Sequence, residues 1–253
     1  MASLPEQLQQ LPLFYRSVAP LSWQLHPDWG FEAPKDLRFA AATHAIPITV
    51  DEFVMTQRHY PVIFGSGPGA APLALVGLSE GRNLFVDHDG KWRPGTYVPA
   101  YVRRYPFLLA KLNPEAEELS LCFDDESGYF GPGKGEMLFD GQEPTPATKT
   151  ALDFCAQFEE SIGRTRGFMD EIEKAGLLIE GEVTIQLAGR DQPAQYRGFR
   201  MIDETKLREL RGDQARKWGQ NGMMGVIYAH LFSLPLIREL YETQEAGVGD
   251  LLA

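Results

Sequence analysis

Short apolar runs separated by turn residues fill the chain between residues 37 and 140. The runs that most clearly indicate strands lie at 61–64, 72–78, 83–87 and 96–99. Runs of this length bounded by Gly, Asp and Asn are typical of strands joined by tight turns. Asp89 and Gly90 give the strongest turn signal, because both residues tolerate a positive φ. The pattern predicts an antiparallel, hairpin-built sheet.

Helical periodicity replaces this pattern after residue 145. Thr145 is a suitable N-cap and Pro146 a suitable first helical residue, and apolar residues then recur at helical intervals as far as Ile172. Beyond this helix the pattern predicts a hairpin and then two helices, at 177–187 with 195–202, at 204–218 and at 222–243. Asp203 is placed to cap the first of these helices, and Pro235 predicts a kink or restart in the second.

The first 36 residues differ from the rest, because five prolines interrupt them at intervals of seven or eight residues. Proline prevents regular helix and favours extended chain. Aromatic residues are too frequent for a free tail, so residues 1–36 are expected to form an extended arm over their own domain or a partner subunit. Residues 37–247 are expected to form a single α+β domain, β-rich at 37–140 and helix-rich at 145–247, with the C-terminal helices packed against the sheet.

The segment 65–70 has the G-x-G-x-x-A spacing of a dinucleotide-binding loop. Such a loop works only where its glycines open a helix whose N-terminal amides hold the pyrophosphate. Here Pro72 follows, and two more glycines interrupt the next ten residues, so no helix of about ten residues fits before residue 87. The sequence therefore favours a tight hairpin loop over a nucleotide site.

The balance of charge excludes several classes of partner. With 24 basic and 35 acidic residues the net charge is −11, which disfavours binding to nucleic acid or to an anionic membrane. The most apolar C-terminal stretch, 223–237, is too short and too polar to span a bilayer. The N-terminus lacks the basic and apolar regions of a secretory signal, so a cytoplasmic location is expected.

The cysteines and histidines form no recognisable catalytic or metal-binding motif. Cys122, Cys155 and His230 lie in apolar patterns and are expected to be core residues. His88 and Asp89 are adjacent, so on an extended chain their side chains would point apart. No cofactor and no metal site is therefore predicted. One alternative stays open, a metal-dependent oxygenase or peptide-modifying enzyme that draws its ligands from His59, His88, Asp87, Asp89 and Asp124.

Cationic and aromatic residues concentrate in two stretches, and together they form the predicted ligand-binding set: Arg58, His59, Tyr97, Tyr101, Arg103, Arg104 and Tyr105. Arginine stacks on aromatic rings and binds carboxylates bidentately, so this set suits a small carboxylate or a peptide C-terminus. If 99–105 is helical, two of the tyrosines share a face one turn apart. The alternative is that the arginines pair with nearby aspartates and brace the hairpins.

Six aromatic-rich phrases carry a resemblance that covers about residues 40–240. In order they are Q-R-H-Y-P-V-I-F at 57–64, N-L-F-V-D-H-D-G-K-W at 83–92, Y-V-P-A-Y-V-R-R-Y-P-F at 97–107, L-C-F-D at 121–124, L-D-F-C at 152–155 and I-Y-A-H-L at 227–231. Together they resemble the SapC family.

The resemblance implies a cellular role but assigns no chemical reaction. The family is named after surface-layer proteins and is found beside TonB-dependent receptors and flavin-dependent tryptophan halogenases. This implies a soluble accessory or binding protein of a surface-layer or uptake system, with a small molecule, peptide or protein as ligand. A homo-oligomer and a protein partner bound through residues 1–36 are further expectations. The family supplies no agreed catalytic residues, so none is assigned.

Overall fold

The structure is a computed structural model that describes residues 11–67, 69–113, 115, 118–186 and 193–247. The strands in these residues are, in chain order, β1 (Ala19–Pro20), β2 (Trp29–Phe31), β3 (Ala45–Pro47), β4 (Val62–Phe64), β5 (Pro72–Leu75), β6 (Phe107–Ala110), β7 (Ser120–Phe123), β8 (Phe130–Pro132), β9 (Glu136–Met137), β10 (Phe139–Asp140), β11 (Glu143–Pro144), β12 (Leu178–Ile185) and β13 (Ala194–Ile202). The α-helices are α1 (Phe53–Thr56), α2 (Ala100–Arg104), α3 (Pro146–Lys174), α4 (Glu204–Arg208), α5 (Gly212–Gln220), α6 (Met223–Ser233) and α7 (Leu236–Glu245).

Strand pairing among the described residues is antiparallel throughout, which confirms the predicted α+β class. The pairs form four sheets, in the orders β1-β7-β6, β8-β2-β9, β10-β11 and β12-β13-β4-β5-β3. None of the helices in the described residues combines the length and the apolar composition needed to cross a membrane.

The chain divides into two compact units, which are described separately. The first unit combines the described residues up to Asp36 with Arg103–Glu160, and the second combines Leu37–Val102 with the described residues from Ser161 onward. The chain passes between the units three times, after Asp36, within α2 and within α3.

Aromatic rings form the core of the first unit. The rings of Phe123 and Phe130 lie 4.5 Å apart, and those of Phe31 and Phe107 lie 4.9 Å apart in an edge-to-face arrangement. Both strands from the N-terminal segment take part in sheets here, since β1 pairs with β7 and β2 lies between β8 and β9.

Both cysteines are buried in this unit, as expected. Burial raises the pKa of the Cys122 thiol to about 11 and that of the Cys155 thiol to about 12. Both thiols are therefore protonated at neutral pH, which is the inert state of a core cysteine.

Asp124 fixes the N-terminal segment to this unit. Its fully buried carboxylate accepts hydrogen bonds from the backbone N–H groups of Arg16 and Ser17, at 3.0 and 3.1 Å, and from the Tyr105 hydroxyl at 2.9 Å. A buried carboxylate needs several donors to offset its loss of water, and here they come from distant parts of the sequence.

A close backbone approach explains the glycine at the centre of β2. A Cβ atom at Gly30 would lie 1.9 Å from the carbonyl oxygen of Lys134. Gly131, its partner across the β2–β8 pair, has nothing nearer than 4.0 Å to the position of such an atom. Only Gly30 therefore requires the absence of a side chain.

In the second unit, a five-stranded sheet contacts α6 and α7. Phe53 of α1, Phe64 of β4 and Phe168 of α3 pack together, and the ring centroids of Phe53 and Phe168 lie 5.9 Å apart. Strands β4 and β5 form a hairpin, with Phe64 paired to Pro72. This pairing confirms the prediction that the glycine-rich segment between them is a hairpin loop.

His230 of α6 links two strands of this sheet. The register that pairs Arg200 with Phe64 sets Ile202 of β13 opposite Val62 of β4. Instead of bonding to each other, the Ile202 N–H donates to His230 Nε2 at 3.1 Å, and Nδ1 donates to the Val62 carbonyl at 2.7 Å. The side chain is fully buried, and this burial lowers its pKa to about 4. His230 is thus the neutral core histidine that the sequence predicted.

Most local predictions agree with the structure. The helix predicted after Thr145 is α3, the predicted hairpin is β12–β13, and the last helical region restarts as α7 after Pro235. The Asp203 carboxylate caps α4 by accepting from the N–H groups of Thr205 and Lys206.

Two predictions of secondary structure are wrong. The helix predicted at 204–218 is broken between α4 and α5, because Arg211 is extended (ψ 141°) and is followed by Gly212, a weak helix former.

The runs 83–87 and 96–99 are not strands. The Asn83 side chain bonds to the carbonyl of Ala40 and to the N–H of Phe85, which diverts the backbone from a ladder, and Val86 makes only an isolated bridge with Trp92.

Candidate functional site

The seven predicted ligand-binding residues fall into three groups. Arg103, Arg104 and Tyr105 line a cavity in the first unit, and Arg58 and His59 line one in the second unit. Tyr97 and Tyr101 line neither of these cavities. The Tyr97 hydroxyl donates to Glu52 Oε1 at 3.0 Å, and Tyr101 is buried.

The cavity in the first unit has a volume of about 330 Å³ and adjoins a second one of about 540 Å³. We call the two together the aromatic groove. Six residues line both parts: Phe31, Ala33, Phe107, Ala147, Thr150 and Ala151. Volumes of this size are typical of small-molecule sites, which combine apolar walls with a few polar groups.

Helix α3 supplies one wall of the groove. Ala147, Ala151 and Phe154 follow one another at intervals of four and three residues and so lie on one helix face. The two alanines are small, so this face leaves open volume where larger side chains would close it. The sequence shows the spacing, but nothing local indicates that Phe31 and Phe107 form the opposite wall.

The two parts of the groove differ in charge. Arg103 lines the smaller part with its guanidinium 5.2 Å from the centre of the Phe154 ring, and its side chain is exposed. Glu32 and Glu136 lie in the other part. Glu32 is 2.9 Å from Lys35, and this ion pair lowers the pKa of its carboxyl group. The groove therefore has a cation in one part and carboxylates in the other, and the two parts share an apolar lining.

Arg104 and Tyr105 make contacts that stabilise the unit itself. The Arg104 guanidinium lies 4.6 Å from the centre of the Phe158 ring and 3.9 Å from Glu159, and the side chain is only 8% exposed. The Tyr105 hydroxyl donates to Asp124, and burial together with this carboxylate raises its pKa above the ordinary value. Arg103 is thus the member of this group most open to solvent.

The cavity in the second unit is smaller, about 180 Å³, and we call it the cationic cavity. Two arginines, Arg58 and Arg93, line it beside His59, and Glu239 of α7 adds a carboxylate. Burial, together with the neighbouring Arg58 charge, lowers the pKa of His59. The sequence predicted Arg58 and His59 as ligand-binding residues but missed Arg93 and the contribution of α7.

A glutamate that the sequence did not single out organises the region around Tyr97. Glu52 is 5% exposed, and its carboxylate accepts from the N–H and hydroxyl of Thr49, from Tyr97 and from the N–H of Ala100, which begins α2. The Thr49-to-Glu52 spacing of a capping box was the available signal. These donors make Glu52 and Tyr97 structural.

The residues proposed for the metal alternative are not brought together as a ligand set. No group of three or more His, Cys, Asp or Glu side chains in the described part of the chain could hold a metal ion. The expectation that the His88 and Asp89 side chains point apart was wrong. His88 Nε2 lies 3.6 Å from Asp89 Oδ1, because this segment is a turn rather than extended chain.

A family model described as SapC matches residues 21–240, which is most of the chain. No curated protein and no solved structure is significantly similar to it.

Proposed function

The chain belongs to the SapC family, and from this premise we propose that it is a non-catalytic accessory protein of a surface-layer or TonB-dependent uptake system that binds a peptide or a small molecule. The aromatic groove is the observation that carries the proposal. It combines an apolar lining with a few charged groups, which is the composition of a binding site rather than of a packed core.

The charges of the groove favour a ligand with a free carboxylate at one end. Arg103 is held over the Phe154 ring, and a guanidinium in such a position can bind a carboxylate through two parallel hydrogen bonds. Glu136 at the other part suits an amino group, and the aromatic walls suit an aromatic or aliphatic side chain between them. A short peptide with an apolar C-terminal residue has all three features.

Two dipeptides test this proposal by calorimetric titration. Gly-Phe carries a free carboxylate, whereas Gly-Phe amide does not. We expect Gly-Phe to bind about tenfold more tightly than the amide, which corresponds to about 1.4 kcal/mol. Absence of measurable binding for both dipeptides would contradict a peptide site in the groove.

Three variants assign the binding to the groove. Arg103→Gln should remove the preference for the free carboxylate, whereas Lys149→Gln, an equal change of charge at an exposed α3 residue outside the groove lining, should retain it. Ala151→Leu fills volume shared by both parts and should weaken both dipeptides equally. If Ala151→Leu leaves both affinities unchanged while the protein stays folded, the ligand binds elsewhere.

The accessory role also includes a protein partner reached through residues 1–36. Trp23 and Leu25 are 38% and 67% exposed in this segment, so they are available for such a contact. Deleting the segment would remove β1 and β2, so the better test substitutes both residues by serine. Partner retention in affinity purification from the native cell should fall, with the melting temperature unchanged. Retention that stays the same would count against this part of the proposal.

No specific observation favours the alternative of a metal-dependent oxygenase or peptide-modifying enzyme. Its candidate ligands include Asp124, and that carboxylate accepts backbone and tyrosine hydrogen bonds in the first unit. The homo-oligomer is a further part of the proposal, and light scattering of the purified chain measures it directly.

A further inference from the structure

The cationic cavity of the second unit has chemistry of its own. Arg58 follows α1, and Arg93 follows the turn that contains Gly90, so the two cations reach this cavity from different segments. Among the described residues, neither guanidinium has a carboxylate oxygen within 4.0 Å, the distance limit for an ion pair. In contrast, Arg238 on the neighbouring helix α7 is 2.8 Å from Glu242.

One face of α7 forms the other side of the cavity. Leu236, Glu239, Leu240 and Thr243 all line it, and their spacing of three, four and seven residues is that of a single helix face. Two of them are apolar, one carries a carboxylate and one a hydroxyl. Leu84 and Phe85 add further apolar surface.

The position of Arg93 is set by the chain around it. Its guanidinium lies 5.8 Å from the centre of the Phe85 ring, an arrangement that attracts a cation to the face of the aromatic system. The hydroxyl of Thr96 donates to the Arg93 carbonyl at 2.7 Å, which fixes the turn that carries this arginine. Arg93 is exposed, but its guanidinium lies beside the apolar floor that Phe85 contributes to the cavity.

These groups define the class of ligand. Two guanidinium groups suit one carboxylate, the Glu239 carboxylate suits an ammonium group, and the leucines suit a short aliphatic side chain. The volume of about 180 Å³ lies below the ~300 Å³ at which sites for drug-sized ligands begin, so the ligand is small. We propose that the cationic cavity binds a free aliphatic α-amino acid. This proposal does not rest on the function proposed for the aromatic groove.

L-Leucine and two of its fragments test the proposal by calorimetric titration at pH 7. The fragment 4-methylpentanoate lacks the amino group, and 3-methylbutylamine lacks the carboxylate. We expect leucine to bind, and each fragment to bind at least about tenfold more weakly. If 4-methylpentanoate binds as tightly as leucine, the cavity takes monocarboxylates and the assignment of Glu239 is wrong. If leucine shows no binding, the proposal is wrong as a whole.

Variants within the cavity separate the two charges of the ligand. The double variant Arg58→Gln with Arg93→Gln should lose leucine binding. Glu239→Gln should weaken leucine at least about tenfold and leave 4-methylpentanoate no weaker. Arg238→Gln is the matched control, because it removes one charge from the next residue along α7 without altering the cavity lining.

The same titrations distinguish this proposal from that for the groove. Ala151→Leu fills the aromatic groove and should leave leucine binding unchanged. Loss of leucine binding in that variant, with the fold intact, would place the amino acid in the groove and overturn the assignment to the cationic cavity. Dipeptide binding to the groove can fail without any effect on the leucine result, and the reverse also holds.

Discussion

Two polar side chains, one in each unit, differ in their surroundings. In the second unit, His230 is enclosed, and both ring nitrogens bond to the backbone of neighbouring strands. In the first unit, Arg103 lies beside an open groove with apolar walls. A buried polar group bonded to the chain stabilises the fold, whereas an exposed cation that borders open volume can also contact a ligand. Burial and the neighbouring open volume, rather than residue type, therefore separate structural positions from candidate sites.

Gly30 at the centre of β2 gives the largest expected effect on stability in the first unit. Gly30→Ala would place a methyl group against a backbone carbonyl, and a backbone cannot move aside as a side chain can. We expect a loss of more than about 4 kcal/mol of unfolding free energy, measured by denaturant titration. Gly131→Ala, on the opposite strand, should cost less than about 1 kcal/mol. Equal losses in the two variants would show that strand propensity, and not the close approach, decides the effect.

His230 gives the corresponding test in the second unit. Its folded pKa of about 4 lies below the ordinary histidine value of 6.5, so between these pH values the unfolded chain takes up a proton that the folded chain does not. Stability is therefore unaffected above pH 6.5 and falls as the pH decreases towards 4, by about 3 kcal/mol for this group.

The measurement is the unfolding free energy from pH 7.5 to pH 4 for the wild type and for His230→Gln. The variant should be less stable at neutral pH and should lose part of the wild-type slope. His88→Gln, a change at an exposed residue, should leave the slope intact. A slope that survives in His230→Gln would assign the acid sensitivity to other groups.

Whether the sequence could predict a structural feature depends on how far apart along the chain the interacting residues lie. The helix that starts after Thr145 and the cap at Asp203 follow from local patterns, because their partners lie within a few residues. The pairing of Ala19 with Phe123 could not be predicted, because strands of two to four residues carry no periodic signal and the partner lies about a hundred residues away. The same limit applies to Arg93, whose place beside Arg58 depends on tertiary packing.

Asp124 is the buried carboxylate of the first unit, and the effect of its loss can be compared with that of the buried His230 in the second unit. Asp124→Asn keeps the shape but replaces one acceptor oxygen by an amide nitrogen, so that at least one donor among Arg16, Ser17 and Tyr105 loses its partner. We expect a loss of about 2 kcal/mol in unfolding free energy. Asp125→Asn is the control, since that side chain is exposed. If both variants are equally stable, the N-terminal segment is held by other contacts.

The smallest effects come from removing one oxygen atom in each unit. Tyr15→Phe removes a hydroxyl that donates to the Phe107 carbonyl at 2.6 Å, and we expect a loss of about 1 kcal/mol. Tyr60→Phe removes a hydroxyl that donates to the Tyr97 carbonyl at 2.5 Å and also accepts from the Trp92 indole N–H at 2.9 Å.

The second loss should be the larger, about 2 kcal/mol, because a carbonyl and a buried indole N–H both lose a partner, whereas Tyr15→Phe affects one carbonyl. Denaturant titration of the two variants at one pH compares them directly. Equal losses would mean that the indole N–H finds another acceptor when the hydroxyl is removed. The second unit would then not depend on Tyr60 as a link between Trp92 and Tyr97, and enclosure alone would no longer identify its structural polar groups.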